Sequence, residues 1–234
     1  MTKLVQPGTI ISHHEMCGIE GAMLQRGMNF RLRNGMSVIL MSRRRGAPYH
    51  DEVLDNGTIL VYEGHDVPKG NGIEDPKKLD QTSQSPSGKA SQNGKFLHAA
   101  KAFKSGHQAA ELVRVYEKIK EGIWVYNGIF KLIDAWQERA GTRKVYKFKL
   151  SITDSNATSI STDETEILHT RLIPSSVKVE VYKRDNGQCV LCGSKENLHF
   201  DHDLPYSKGG TSLKAANIRL LCARHNIAKR ANIE

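Results

Sequence analysis

The chain of 234 residues has no apolar run approaching the roughly 20 residues that a membrane-spanning helix needs. Its first residues lack a basic segment followed by an apolar one, so no secretory signal is expected and the reading is of a cytoplasmic protein. Cysteine is scarce, four in all, and three of the four fall in one C-terminal window. In a reducing compartment that excludes a disulfide framework and points to metal ligation, with Cys17 left as a small buried residue. Negative charge is in deficit: 25 Asp and Glu stand against 34 Lys and Arg, a formal net charge of +9. Such a surplus on a soluble protein most often faces a polyanion, so nucleic acid is the expected partner and a membrane is not. No internal repeat is visible, and the length suits two domains better than one.

Residues 1 to 152 read mainly as strands and turns. "MSVILM" (36–41) and "GTILVYEG" (57–64) are rich in β-branched and apolar residues and are bounded by glycine. An amphipathic helix is expected around Phe96, Ala99, Ala100 and Phe103, which recur at helical spacing. "AELVRVYEKI", "GIWVYNGIFKLIDAWQE" and "KVYKFKL" supply further strands, with Trp124, Tyr126, Phe130, Tyr146 and Phe148 as core bulk. The stretch from 68 to 94 is a long loop bearing Lys69, Lys77, Lys78 and Lys89, with Lys95 beside it. A polar, Ser/Thr-rich, acidic segment then marks residues 153–172 as a linker to a C-terminal domain at 173–234.

In that last part, Cys189-Val190-Leu191-Cys192 and Cys222-Ala223-Arg224-His225 are two pairs at one spacing, together a closed Cys3His set suited to structural zinc. Zinc would hold both ends of a domain too small to rely on its apolar core alone. Between the pairs an alternating strand, "NLHFDHD", runs into Pro205 and the turn "SKGG", and "NIRLL" leads to a final helix. Asp201 and His202 are the groups that hold a hard divalent cation and deprotonate water, the parts of phosphodiester hydrolysis. Neighbouring strand residues face opposite sides, so the two share a site only where the strand twists or ends; His199 and Asp203 are possible substitutes.

This stretch resembles the zinc-stapled HNH nucleases, which read C-x2-C, then D-H-x-x-P-x-S-x-G-G, then N-x-x-L-L-C-x-x-H/C-N-x-x-K. The resemblance covers about residues 173 to 234. It implies a ββα-metal fold, His202 as general base, Asp201 and Asn226 as ligands of a catalytic Mg2+ or Mn2+, and Asn217 bracing the loop that carries the base. Lys208, Arg224, Lys229 and Arg230 would contact flanking phosphates.

The preceding part resembles the SRA domain, also called YDG, over roughly residues 8 to 151. The matches are "GIEG", the span from Tyr49 to Tyr62 around Asp51 and Glu52, Asp80-Gln81, and Tyr126-Asn127-Gly128, where Asn127 replaces the family's aspartate. The resemblance implies an SRA/PUA-like twisted β-barrel with helices, which binds modified cytosine by flipping it from the duplex. A flipped base needs aromatic faces, an acceptor for its amino group and room beside C5. Tyr49 and Tyr62 would supply the faces. Asp51 or Glu52 would supply the acceptor, with the family spacing slightly favouring Glu52. Arg43, Arg44 and Arg45 in "SRRRG" are either a solvated face or phosphate contacts.

The combined order resembles modification-dependent bacterial restriction endonucleases. The expected class is α+β, and the expected activity is cleavage of double-stranded DNA near 5-methylcytosine or 5-hydroxymethylcytosine, with a homodimer providing a second active site. Two other readings stand beside it: a modified-DNA binding protein without catalysis, and an HNH nuclease of unmodified DNA.

Overall fold

The computed structural model describes residues 5–70, 72–153, 172–204 and 210–231. After the short strand β1 (Ile10–Ile11), helix α1 (His13–Glu20) opens on a capping box: Ser12 accepts from the Glu15 amide while the Glu15 carboxylate accepts from the Ser12 amide. The sequence pattern carries no helix signal here. Only Met16, Cys17 and Glu20 of its eight residues are buried, too thin an apolar stripe to read as a helix. Glu20 anchors α1 from beneath, accepting from Tyr116 Oη at 2.5 Å and from Arg114 and Asn34 at 3.1 Å.

Strands β2 (Met28–Asn29), β3 (Ser37–Met41), β4 (Glu52–Leu54) and β5 (Ile59–Glu63) precede helix α2 (Gln92–Lys104). Strands β6 (Glu111–Lys120), β7 (Ile123–Ala140) and β8 (Arg143–Ile152) follow it. They form one sheet in the order β2-β3-β6-β7-β8-β5-β4, with β1 on β7; β3 and β6 run parallel and the other pairs antiparallel. The expected strands at 36–41, 57–64, 110–119, 122–138 and 144–150 are all present, as is the expected helix. Phe96, Ala99 and Ala100 pack that helix against Phe130, Phe148 and Leu150, whereas Phe103 stays half-exposed.

The expected twisted β-barrel does not close. Among the described residues the sheet is an open path ending at β2 and β4, strands of two and three residues that are too short to meet. Curvature comes instead from β7, whose register shifts against both β6 and β8. Bulges of this kind bend and twist a strand, so the first part of β7 pairs with β6 and the remainder with β8.

The C-terminal portion comprises α3 (Ser175–Arg184), an antiparallel hairpin of β9 (Leu198–His202) and β10 (Ile218–Cys222), and α4 (Ala223–Ala231). The alternating valines of "VKVEV" carry a strand's period, and docking of Val177 and Val181 makes the stretch a helix. Most of the expected linker, 154–171, lies outside the described residues. Its two flanks are pinned: Thr153 donates through its amide and hydroxyl to Ile129 O, and the Leu172 amide donates to Gly57 O, all at 3.0 Å.

This portion packs directly on the sheet. Ile119 and Val125 share one apolar cluster with Ile173, Val177, Val181, Leu198 and Phe200, and the Phe200 amide donates to Gly8 O at 3.0 Å. At the seam Lys178 Nζ lies 2.6 Å from Glu117 Oε2 and 2.7 Å from Asn127 Oδ1, and Asn127 Nδ2 donates to the same carboxylate. Burial works to raise the Glu117 carboxyl, and Lys178 outweighs it, holding the group below its ordinary range. The amide at position 127 has a physical use here: aspartate would place a second buried carboxylate against one ammonium. Removing one partner of such a pair leaves an uncompensated charge. Lys178→Met should therefore cost about 3–5 kcal/mol in denaturant unfolding. Adding Glu117→Gln should recover most of it, and an unrecovered loss would show that packing dominates.

Candidate functional site

The β4–β5 hairpin carries the candidate pocket. Asp51, just before β4, is buried, and its two carboxylate oxygens accept from the Ser42 and Glu63 amides at 3.1 Å each. Burial raises this carboxyl to about 7, against the two backbone donors that favour its ionised form. Tyr62 on β5 is fully buried, and burial pushes its hydroxyl well above the usual tyrosine range. The Tyr49 ring stacks on His65, with centroids 5.9 Å apart and planes at 24°, and Lys77 Nζ sits 3.9 Å from its centroid. Tyr49, Asp51 and Tyr62 are thus brought together. Glu52 is not: it faces outward, half-exposed, with Oε1 3.1 Å from His50 Nδ1. At the start of β4 the chain turns Asp51 inward and Glu52 outward.

A ring of charge missed by the sequence analysis backs these residues. Glu63 pairs with Arg143 and Lys147 at 3.2 Å, and Asp66 with Arg143 at 2.5 Å and Lys77 at 2.9 Å. Gln81 pins the long loop at its buried end, donating to Gly64 O at 2.7 Å and accepting from the Tyr146 amide at 2.8 Å. Arg143, Lys147 and Lys77 are far from the hairpin in sequence, and nothing local marks them. Glu63 and His65 had a signal, since the apolar strand ending at Tyr62 continues directly into "EGHD".

The Cys3His set also converges. The ligand atoms of Cys189, Cys192, Cys222 and His225 lie within 4.8 Å of one another. His225 Nδ1 is 3.4 Å from Cys189 Sγ and 3.3 Å from Cys222 Sγ, and the sulfurs of Cys192 and Cys222 are 3.8 Å apart. A tetrahedral zinc separates its sulfurs by roughly 3.8 Å and sulfur from nitrogen by roughly 3.5 Å, so these spacings are compatible with zinc. Burial pushes the Cys189 thiol up, but the backbone amides of Cys222, Leu191 and Cys192 and the His225 ring outweigh it. They bring the thiol down to about 6, toward the thiolate that binds metal.

On the hairpin of this portion, β9 ends at His202. His202 Nε2 lies 2.8 Å from Ser212 Oγ, and burial lowers the imidazole below its ordinary range. Asp201 turns the other way, onto Lys229, whose Nζ is 2.5 Å from Oδ2 and also reaches the His202 carbonyl. Lys229, expected on a phosphate, is engaged by this carboxylate. Asn226, one turn earlier on α4, is buried. Asn217 accepts from the Leu204 amide and donates to the carbonyls of Leu204 and Thr211, tying the two ends of the intervening loop. A Cβ on Gly210 would overlap Leu204 O, so this closure requires glycine. His199 meets Thr9 Oγ1 at 3.1 Å and Asp203 pairs with Arg219 at 2.9 Å.

Among the expected phosphate contacts, Arg43, Arg45 and Arg224 are exposed, and Arg44 bonds Ser42 Oγ at 3.2 Å. Lys208 and the Arg230 side chain lie outside the described residues. No helix among the described residues is long and apolar enough to cross a membrane.

One open, mostly antiparallel sheet covered by a helix, with an aromatic and acidic pocket at one hairpin, defines an α+β domain of a recognisable class. The SAD/SRA domain family model matches residues 5–155, and the chain belongs to that family. Solved structures similar to it include the SUVH5 SRA domain with fully methylated CG DNA, at 22% identity, covering 65% of this chain and 92% of that one with a TM-score of 0.43. Others are the same domain bound to fully hydroxymethylated CG DNA (22%, 65% and 91%, 0.42) and Arabidopsis thaliana SUVH6 in complex with SAM (19%, 74% and 28%, 0.41). No curated protein matches the chain.

Proposed function

We propose that the chain binds double-stranded DNA at a modified cytosine and hydrolyses a phosphodiester nearby. The observation that carries the first half is the buried Asp51 carboxyl beside Tyr62, with Tyr49 nearby. A base taken out of the stack needs an aromatic face and an acceptor for its amino group, and these three residues offer both. The SUVH5 SRA domain, similar in family, is known in complex with methylated and with hydroxymethylated DNA, which fits the same substrate class. Exposed Arg43, Arg45 and Arg224 suit the DNA backbone.

The second half rests on the C-terminal hairpin and helix. Their Cys3His centre suits structural zinc, and the resemblance to HNH nucleases gives His202 the role of general base. Asp201 and Asn226 have the oxygen chemistry of a hard divalent cation. Mg2+ or Mn2+ held there would supply charge stabilisation at the phosphodiester. From this chain, His202 takes the proton of the attacking water, Ser212 orients the imidazole, and Asn217 fixes the loop after it. One such site cuts one strand, so a double-strand break in the bacterial cytoplasm calls for a homodimer. The Lys229 ammonium on Asp201 also favours a second reading, a modified-DNA binding protein whose C-terminal portion does not cut.

Matched plasmids, one unmodified and one carrying modified cytosine, incubated with the protein and Mg2+ or Mn2+, separate these readings. Cleavage of the modified plasmid alone is expected. Equal cutting of both would sink the base-reading assignment, and binding without cutting at intact zinc content would sink the nuclease.

A further inference from the structure

Beside α2 lies a groove of about 550 Å³ that neither the base pocket nor the C-terminal hairpin uses. Phe30 and Leu97 give it apolar surface, and Arg31, Lys95, His98 and Lys101 stand along it. No Asp or Glu is among the residues that line it. Lys95, His98 and Lys101 are exposed, and among the described residues neither lysine forms an ion pair. Lys104, one turn further along the same helix, is engaged by Asp134 at 2.7 Å.

Arg31 is held in place, its Nε and Nη2 donating to Glu111 Oε2 at 2.9 and 2.8 Å while Ser37 donates to the other oxygen at 2.7 Å. The buried Glu111 offsets Arg31, so the positive surplus of the groove comes from the two lysines, with His98 added when protonated. The groove also borders the base pocket. Gln81 is fixed on Gly64 and Asp66, and the same segment runs on into Ser83 and Gln84, which line the groove. Asn93, near the start of α2, joins the two by accepting from the His65 amide at 2.8 Å and donating to Thr82 O at 3.2 Å.

We propose that this groove is a second DNA-contact surface, which holds the sugar-phosphate backbone of the duplex flanking the base in the pocket. It rests on the DNA-binding reading above and adds to it a surface that carries affinity without reading sequence. Lys95 and Lys101 neutralise phosphates, and Phe30 and Leu97 cover the apolar faces of the sugars. Each phosphate neutralised releases condensed counterions, so each such contact steepens the fall of affinity with salt.

The test uses the full chain without added divalent cation, titrated by fluorescence anisotropy at a series of salt concentrations against two duplexes that differ only in one central cytosine, modified or not. Replacing both lysines, Lys95→Ala with Lys101→Ala, should lower the slope of log affinity against log salt by about 1.8, two phosphates at about 0.9 each. Affinity for the two duplexes should fall by the same factor, leaving their ratio unchanged. Both positions are exposed and alanine favours a helix, so the fold is kept, as an unchanged melting curve would show. Lys104→Ala removes one charge that is already paired and should move the slope much less. An unchanged slope in the double variant would overturn the proposal, as would a loss in Lys104→Ala equal to that of either groove lysine, which would make the effect one of total charge. A changed ratio between the two duplexes would overturn it too, by assigning the groove to base reading. If the unaltered chain binds neither duplex, the DNA-binding function itself fails and this proposal with it.

Discussion

Cys222→Ser is expected to release the metal of the Cys3His centre and to lower the thermal stability of the C-terminal portion sharply. Cys222 is the last residue of β10, and its sulfur meets both His225 and Cys192, so its loss removes the ligand that links the two pairs. Structural zinc contributes on the order of 10–16 kcal/mol in small domains that are unfolded without it. The full amount should not appear here, because Ile173, Val177, Val181, Leu198 and Phe200 remain packed against Ile119 and Val125 of the sheet. Zinc content measured by chromogenic release should fall from one per chain to none, with loss of the melting transition that reports on β9, β10 and α4. Binding of modified DNA should persist, since the pocket lies on the β4–β5 hairpin and shares no ligand with this centre. Cys17→Ser serves as the comparison: that thiol packs in a separate cluster with Met16 and Leu24 and should leave the zinc content unchanged. Metal retained by Cys222→Ser at full stoichiometry would contradict the assignment.

Local pattern and long-range pairing differ in how far they can be read from the chain. The strands "SVILM" and "ILVYE" and the spacing of Phe96, Ala99 and Ala100 carry their periodicity within a few residues, and the structure places them as expected. The Cys3His set was legible for the same reason, since each pair is local and only the meeting of the pairs is not. The failures are of another kind. Whether a sheet closes depends on bulges in β7 and on the shortness of β2 and β4, and neither follows from hydrophobic alternation. The docking of the C-terminal portion depends on Lys178, which in sequence is one more lysine in a basic chain and in the fold is buried on Glu117. The family spacing slightly favoured Glu52 over Asp51, but a single step of register exchanges the two faces of a strand.

His202→Ala should reduce cleavage of modified DNA by about 10²- to 10⁴-fold, the usual contribution of a positioned general base, while sparing affinity for the modified duplex. The two effects separate because the residues sit on different elements: His202 ends β9 and bonds Ser212, whereas the pocket is built on β4, β5 and the segments flanking them. Single-turnover cleavage on a duplex with one modified cytosine measures the first, and anisotropy without divalent cation the second. His199→Ala provides the contrast. Its ring is held by Thr9 at the seam with β1, so its loss should loosen docking and leave the cleavage rate largely intact. If instead His202→Ala cuts normally and His199→Ala does not, the base belongs to His199. The Asp201–Lys229 pair would then be a structural tie across the seam of β9 and α4, with no part in holding a cation.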